Sequence, residues 1–215
     1  LRTITAGAVF HDDYGDLTRL REMLAYYPQD VWLYLLGAGW TRIAQEEPLV
    51  GRTGVVEDEL GSRLISARLV HDMMNLCFLM AREYAPYSKW FGTAFDQLAC
   101  ANTLTPIFHA ILDAPHWQVR EKHLTTAYTK LAQMHNALEL TDPLPAQVSD
   151  FHTRPFQVIH AHRFAESIFG QINDPIVRRI AESTHIGGVD QFSTSTDLLS
   201  DSRMTRRVRA LYQDN

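Results

Sequence analysis
Residues 69–80 read LVHDMMNLCFLM, apolar almost all round a helical wheel. A helix of that kind is central and surrounded by other helices. Followed upstream, the pattern extends this helix to about residues 55–83. A Gly-bearing loop is expected before it, at 50–54, and Pro86 breaks the chain after it. Further upstream, Pro28 sits at a first-turn position and opens a helix that runs to about Glu47, ahead of Pro48. Its positions Trp32, Leu35, Leu36, Trp40 and Ile43 follow the 3.6 period and are expected in the core.

Working outward, Asp16 heads a short helix to about residue 26. Downstream, helices are expected at about 87–98, 102–113, 115–139, 157–172, 174–184 and 203–213. A two-proline loop lies at 141–150, and residues 152–156 read as extended ahead of Pro155. Leu and Ala number 24 and 21, against 23 for Val plus Ile, which favours helix. The expected class is all-α, an antiparallel helical bundle with peripheral helices. Residues 1–15, with Gly7 and Gly15, read as an arm or inter-domain segment, and 16–215 as a single helical domain. No sheet is expected beyond a short pairing in the arm.

Charge and cysteine bound the setting. The net charge of −5 arises in residues 1–62, with 5 Lys/Arg against 10 Asp/Glu, and the remainder balances. That gives no domain-wide basic field, which argues against duplex nucleic acid as a partner. Ten consecutive apolar residues at 31–40 are too few to span a bilayer, so no membrane role is expected. Cys77 and Cys100 sit in apolar, helix-like settings and read as buried thiols of a reducing, cytoplasmic protein. Three Lys beside 17 Arg suggest a bacterial coding bias.

Several chemistries depend on residue spacing. His160 and His162 are two apart and point to different faces of a helix. Glu182 and His185 form a single Glu-x-x-His where a di-iron bundle needs two, so no metal is expected. Arg154…His160 and Arg179…His185 have a spacing found in helical ribonucleases, at a frequency chance supplies. Gly61-Ser62 with Asp72 is like the start of a nucleotidyltransferase motif, but position 74 is Met where a second metal carboxylate is needed. What remains is polar residues in apolar surroundings. Arg68, Asp72 and Asn75 share one stripe of the long helix and must find partners or line a cavity. Glu59 and Arg63 are likewise four apart, and Lys89 stands between Ser88 and Trp90 beside a helix start.

The blocks WLYLLGAGWTRIAQEE (32–47), DELGSRLISARLV (58–70), APYSKWFGTAF (85–95), MHNAL (134–138), RPFQVIHAHRF (154–164) and VDQFSTSTDLLSD (189–201) together resemble the bacterial domain of unknown function 4037 family, over residues 28 to 212. The resemblance implies a helical domain that follows a nucleotidyltransferase-like domain, which would be its partner. Residues 1–15 would then be that domain's tail. Any Mg²⁺ and nucleoside triphosphate would belong to the upstream domain, with no cofactor in this chain and no catalysis by it alone. The implied function is a substrate-recognition accessory domain for a small-molecule acceptor. The candidate binding residues are Glu46, Glu59, Arg63, Arg68, Asp72, Lys89, His135, Asn136, Arg154, Asp190 and Gln191. The basic ones would meet anionic groups, and Glu46, Asp190 or His135 would orient or deprotonate an acceptor hydroxyl. The alternative is a non-catalytic interaction domain, or a homodimer formed through the Trp-rich helix.

Overall fold
A computed structural model of the protein describes residues 1–193 and 201–213. Positions 194–200 of the 189–201 block therefore lie outside the described residues. The class is as expected: a helical bundle, with a single two-stranded hairpin among the described residues. The helices are α1 (Arg2–Thr5), α2 (Asp16–Met23), α3 (Gln29–Glu46), α4 (Leu49–Val55), α5 (Glu59–Met80), α6 (Phe91–Phe95), α7 (Ala101–Asp113) and α8 (Trp117–Asn136). Strands β1 (Ser149–Phe151) and β2 (Arg154–Val158) follow, then α9 (His162–Phe169), α10 (Pro175–Ser183), α11 (Val189–Phe192) and α12 (Ser202–Arg207).

Two long helices organise the core. The Trp32 indole donates to Leu79 O at 2.8 Å, Arg42 meets Asp72 and Glu46 meets Arg68, so α3 and α5 run antiparallel. Helix α9 covers another side of α3, α7 lies on α8, and α4 bridges α5 and α8. Every expected core position of α3 is buried, and Leu69, Met73, Leu76 and Cys77 of α5 have no exposed surface. With Trp32 and Trp40 buried in this way, α3 offers no Trp-rich face to a second copy.

Four local expectations are corrected. The segment 49–55 is helix rather than loop. Thr53 Oγ1 donates back to Leu49 O, and Gly51 and Gly54 let the backbone press against Phe156 and Trp117. The arm holds the helical turn α1 rather than a strand. The Arg21 guanidinium gathers the carbonyls of Ile4, Thr5, Ala6 and Gly7 at 2.8–3.0 Å, which leaves them unavailable for strand pairing. The strand pairing lies instead at 149–158, antiparallel, with Ser149 opposite Val158. The region 87–98 is a 3₁₀ turn, Ser88–Trp90, followed by α6. Helix α9 starts only at His162, because the preceding turn, with His160 at φ 55°, is held by Glu47. Its carboxylate accepts from Ile159 N at 2.8 Å and Ala161 N at 3.0 Å.

Candidate functional site
The α3–α5 seam brings five expected or neighbouring polar residues together. On α3, Arg42 and Glu46 are four apart and so share a face, and on α5 Arg68, Asp72 and Asn75 face them. Arg68 Nε reaches both oxygens of Glu46, at 3.0 and 3.1 Å. Arg42 Nη2 donates to Asp72 Oδ2 at 3.4 Å, and His71 Nδ1 lies 3.7 Å from Asp72 Oδ1. Arg68 therefore pairs across to α3 instead of along its own helix to Asp72. Asn75 Nδ2 is 3.3 Å from His71 Nδ1, and the His71 ring stacks on Phe91.

The seam ends in a narrow recess between α3, α5 and α11. Tyr27, Asn75, Phe78, Glu83, Asp190 and Gln191 line it, and its floor has room for about one water-sized group. Asn75 thus belongs to both seam and recess. Gln191 is structural as well: its Oε1 accepts from Gly188 N at 2.7 Å and its Nε2 donates to Leu35 O at 2.9 Å, which pins α11 to α3. Glu83 is paired with Arg2 at 3.2 Å. Asp190 keeps exposed surface at the mouth, yet the atoms crowded round its carboxyl push its pKa up by desolvation. Burial likewise pushes the Tyr27 hydroxyl up, with the Asp190 charge adding to it. The recess offers two carboxylates, two carboxamides and aromatic walls, a set suited to a hydroxyl or an ammonium group.

The remaining expected residues do not join it. Glu59 accepts from Trp117 N at 2.9 Å and pairs with Arg120 at 3.2 Å, so it caps α8. Burial opposes the charge of Glu59, but those two donors outweigh it and hold the carboxyl below its ordinary value. Arg63 is exposed and reaches Pro115 O at 3.4 Å. Lys89 sits over the Trp90 ring at 4.9 Å. His135 is buried, with Trp40 Nε1 donating to its Nδ1. Asn136 bonds both ways with the backbone of Leu144 and anchors the proline loop. Arg154 is exposed on the hairpin. The basic candidates are thus dispersed over the surface.

Three groups escaped the sequence reading, two of them buried and one, Arg42, partly exposed. Arg120 has no exposed surface and donates to Ser62 Oγ at 2.6 Å, to Ala114 O at 3.1 Å and to Glu59. Its signal was present, since Arg120, Leu124, Ala127, Tyr128 and Leu131 fall on one stripe of α8. Glu47 was adjacent to a named residue but one step round the helix. Arg42 stands four residues before Glu46 on the α3 face that meets Asp72.

No group of three or more His, Cys, Asp or Glu that could hold a metal ion occurs among the described residues. Asp72 is committed to Arg42, and Met74 offers no carboxylate, so positions 72 and 74 do not supply the metal carboxylates of a nucleotidyltransferase. Cys77 and Cys100 are free thiols. No helix among the described residues is long and apolar enough to cross a membrane. Compared with known families, residues 1–91 match the model described as a domain of unknown function, DUF4037. The match takes in the arm, α1 to α5 and the 3₁₀ turn; the resembling blocks at 134–138, 154–164 and 189–201 lie beyond it. No curated protein and no solved structure matches the chain.

Proposed function
We propose that the chain, whose residues 1–91 match the DUF4037 model, is a helical accessory domain that recognises an acceptor for a nucleotidyltransferase-like partner. Mg²⁺ and a nucleoside triphosphate would be held by that partner, since Met74 stands where a second metal carboxylate after Asp72 would be needed. The acceptor would be a small molecule bearing a hydroxyl or amine. The recess is the observation that carries this reading: Asn75, Glu83, Asp190 and Gln191 converge beside Tyr27 and Phe78. Its width suits one polar end group, leaving the rest of the acceptor on the surface. Asp190, with its raised pKa, would accept a hydrogen bond from that group or take its proton. The helical chain supplies position and polarity, and the partner supplies the nucleotide.

Titration of the purified chain with primary amines, from ethanolamine to spermidine, against the neutral polyols glycerol and sorbitol tests this. Ligands of the right class should raise the melting temperature of the wild type. Asp190→Asn, at an exposed position, should keep the fold and lose the response. Identical responses in wild type and Asp190→Asn would end the acceptor-site reading.

A further inference from the structure
The chain has two cysteines, and the fold brings them together. Cys77 stands on α5 with no exposed surface, inside the core cluster that also holds Met73, Leu76 and Phe78. Cys100 closes the turn after α6 and occupies the N-cap of α7. The packing of α7 on α5 carries its sulfur to the Cys77 thiol, and the two side chains are hydrogen-bonded to each other. Neither lines the recess at Asp190.

The two sulfurs differ in access. Cys100 is half-buried and lines an open groove between α7 and α8, together with Thr103, Lys130, Gln133 and Met134. A small solute in that groove meets Cys100, while Cys77 lies behind it in the core. Lys130 gives the groove wall a positive charge, which favours an anionic sulfur. The sulfurs differ in acidity as well. Cys100 accepts the hydrogen bond of the Cys77 thiol, which holds it below the usual thiol range; burial opposes this and its own backbone N–H adds to it. Cys77 gives that hydrogen bond, and burial adds to the effect, so its thiol is pushed up. One sulfur has thiolate character and an entrance, and the other keeps its proton within reach of the first. A cysteine that only fills space needs neither feature.

We propose that Cys100 and Cys77 form a reversible, peroxide-sensitive pair, in which Cys100 reacts at the groove and Cys77 resolves it from the core as a disulfide.

The oxidant is a hydroperoxide. The Cys100 thiolate attacks one peroxide oxygen: an S–O bond forms, the O–O bond breaks, and the other oxygen leaves as hydroxide or alkoxide, which takes a proton from water. The sulfur is oxidised to a sulfenic acid and the peroxide is reduced. The Cys77 sulfur then displaces the hydroxyl on Cys100. The S–S bond forms, the S–O bond breaks, and the hydroxyl leaves as water with the Cys77 proton. Because the two side chains already touch, this second step is intramolecular and outruns a second peroxide. A reducing dithiol returns both thiols by exchange, so the disulfide is transient in a reducing compartment.

Hydrogen peroxide in small molar excess over the reduced full chain tests this. The wild type should lose both free thiols together and yield a peptide linked through Cys77 and Cys100, with no sulfinic acid at either. The rate should not depend on protein concentration, and dithiothreitol should restore both thiols. Cys100→Ser, at a half-buried position, should leave Cys77 reduced at the same dose. Cys77→Ala should stop Cys100 at a sulfenic acid, which dimedone traps and further peroxide carries to the sulfinic acid. Iodoacetamide labelling of the native wild type gives a readout that needs no variant to fold: Cys100 should react about tenfold or more faster than Cys77. Thiols that survive the peroxide, a sulfinic acid at Cys100 of the wild type, a disulfide between chains, or Cys77 labelled as fast as Cys100 would each overturn the proposal.

Discussion

Trp40 Nε1 donates to His135 Nδ1 at 2.9 Å in the centre of the bundle, with Phe164 edge-on to the imidazole at 5.0 Å. The bond makes Nδ1 an acceptor, so the proton of the neutral ring sits on Nε2. That ring stays neutral because burial lowers its pKa to about 4. Nearby in sequence from Trp40, at the end of the same helix α3, burial pushes the Glu47 carboxyl up to about 7, against the pull of the Ala161 and Ile159 N–H groups.

These two shifts act in opposite directions on stability. Between pH 4.5 and about 7 the folded chain keeps the Glu47 proton that the unfolded chain has released, so stability falls as pH rises. Between about 4 and 6.5 the unfolded chain protonates His135 and the folded chain does not, so stability falls as pH drops. Each effect is on the order of 3 kcal/mol, and they offset each other over the shared window. Glu47→Gln should therefore expose a stability that rises with pH from about 4 to 6.5. His135→Gln, which retains an acceptor for Trp40, should expose one that falls from 4.5 to about 7. Urea midpoints across that range check both, and parallel profiles for the two variants would refute the assignment.

Arg120 ties α5, α8 and the turn at Ala114 from a fully buried position. Arg120→Ala leaves a cavity and an unpartnered Ser62 hydroxyl, and should cost about 3–5 kcal/mol in urea unfolding. Arg120→Met fills the space and should cost distinctly less. Arg63→Ala, on the exposed side of the same helix pair, should stay within about 0.5 kcal/mol of wild type.

A Cβ built on Gly54 would come 2.2 Å from the Trp117 ring. Alanine is the better helix former, but here α4 must move off α8 to admit it. Gly54→Ala should destabilise the chain by about 1–3 kcal/mol, read from the shift of its melting curve. A stabilising effect would mean that propensity outweighs the close approach.

The long elements were legible because their apolar period exceeds any local ambiguity. The face Trp32, Leu35, Leu36, Trp40 and Ile43 specifies both a helix and its buried side, and the all-round apolar stretch 69–80 specifies a central one. Short elements were decided by contacts across the chain. Gly51 and Gly54 look like loop residues until Phe156 and Trp117 arrive to pack on them. The turn before α9 depends on Glu47, more than a hundred residues away. The candidate site divides in the same way. Spacing along α5 placed Arg68, Asp72 and Asn75 on one stripe, but the partners of Arg68 and Asp72 lie on α3. The choice of Arg42 for Asp72 and Glu46 for Arg68 follows from antiparallel packing, which i to i+4 arithmetic does not contain.

That cross-pairing yields a further expectation for the seam. The Asp72 side chain is 9% exposed, and Arg42 is the guanidinium beside it. Arg42→Ala leaves that carboxylate buried with only the more distant His71 near it, and should cost about 3 kcal/mol. Arg68 is 55% exposed but its partner Glu46 only 12%, so Arg68→Ala also strands a largely buried carboxylate and should cost a similar amount. Replacing both members of the Arg42–Asp72 pair, as Arg42→Met with Asp72→Leu, leaves no carboxylate without its partner and should recover most of the loss. Urea unfolding of the three proteins and the wild type measures the series. If either Arg42→Ala or Arg68→Ala proved neutral, the pairing across α3 and α5 would be wrong.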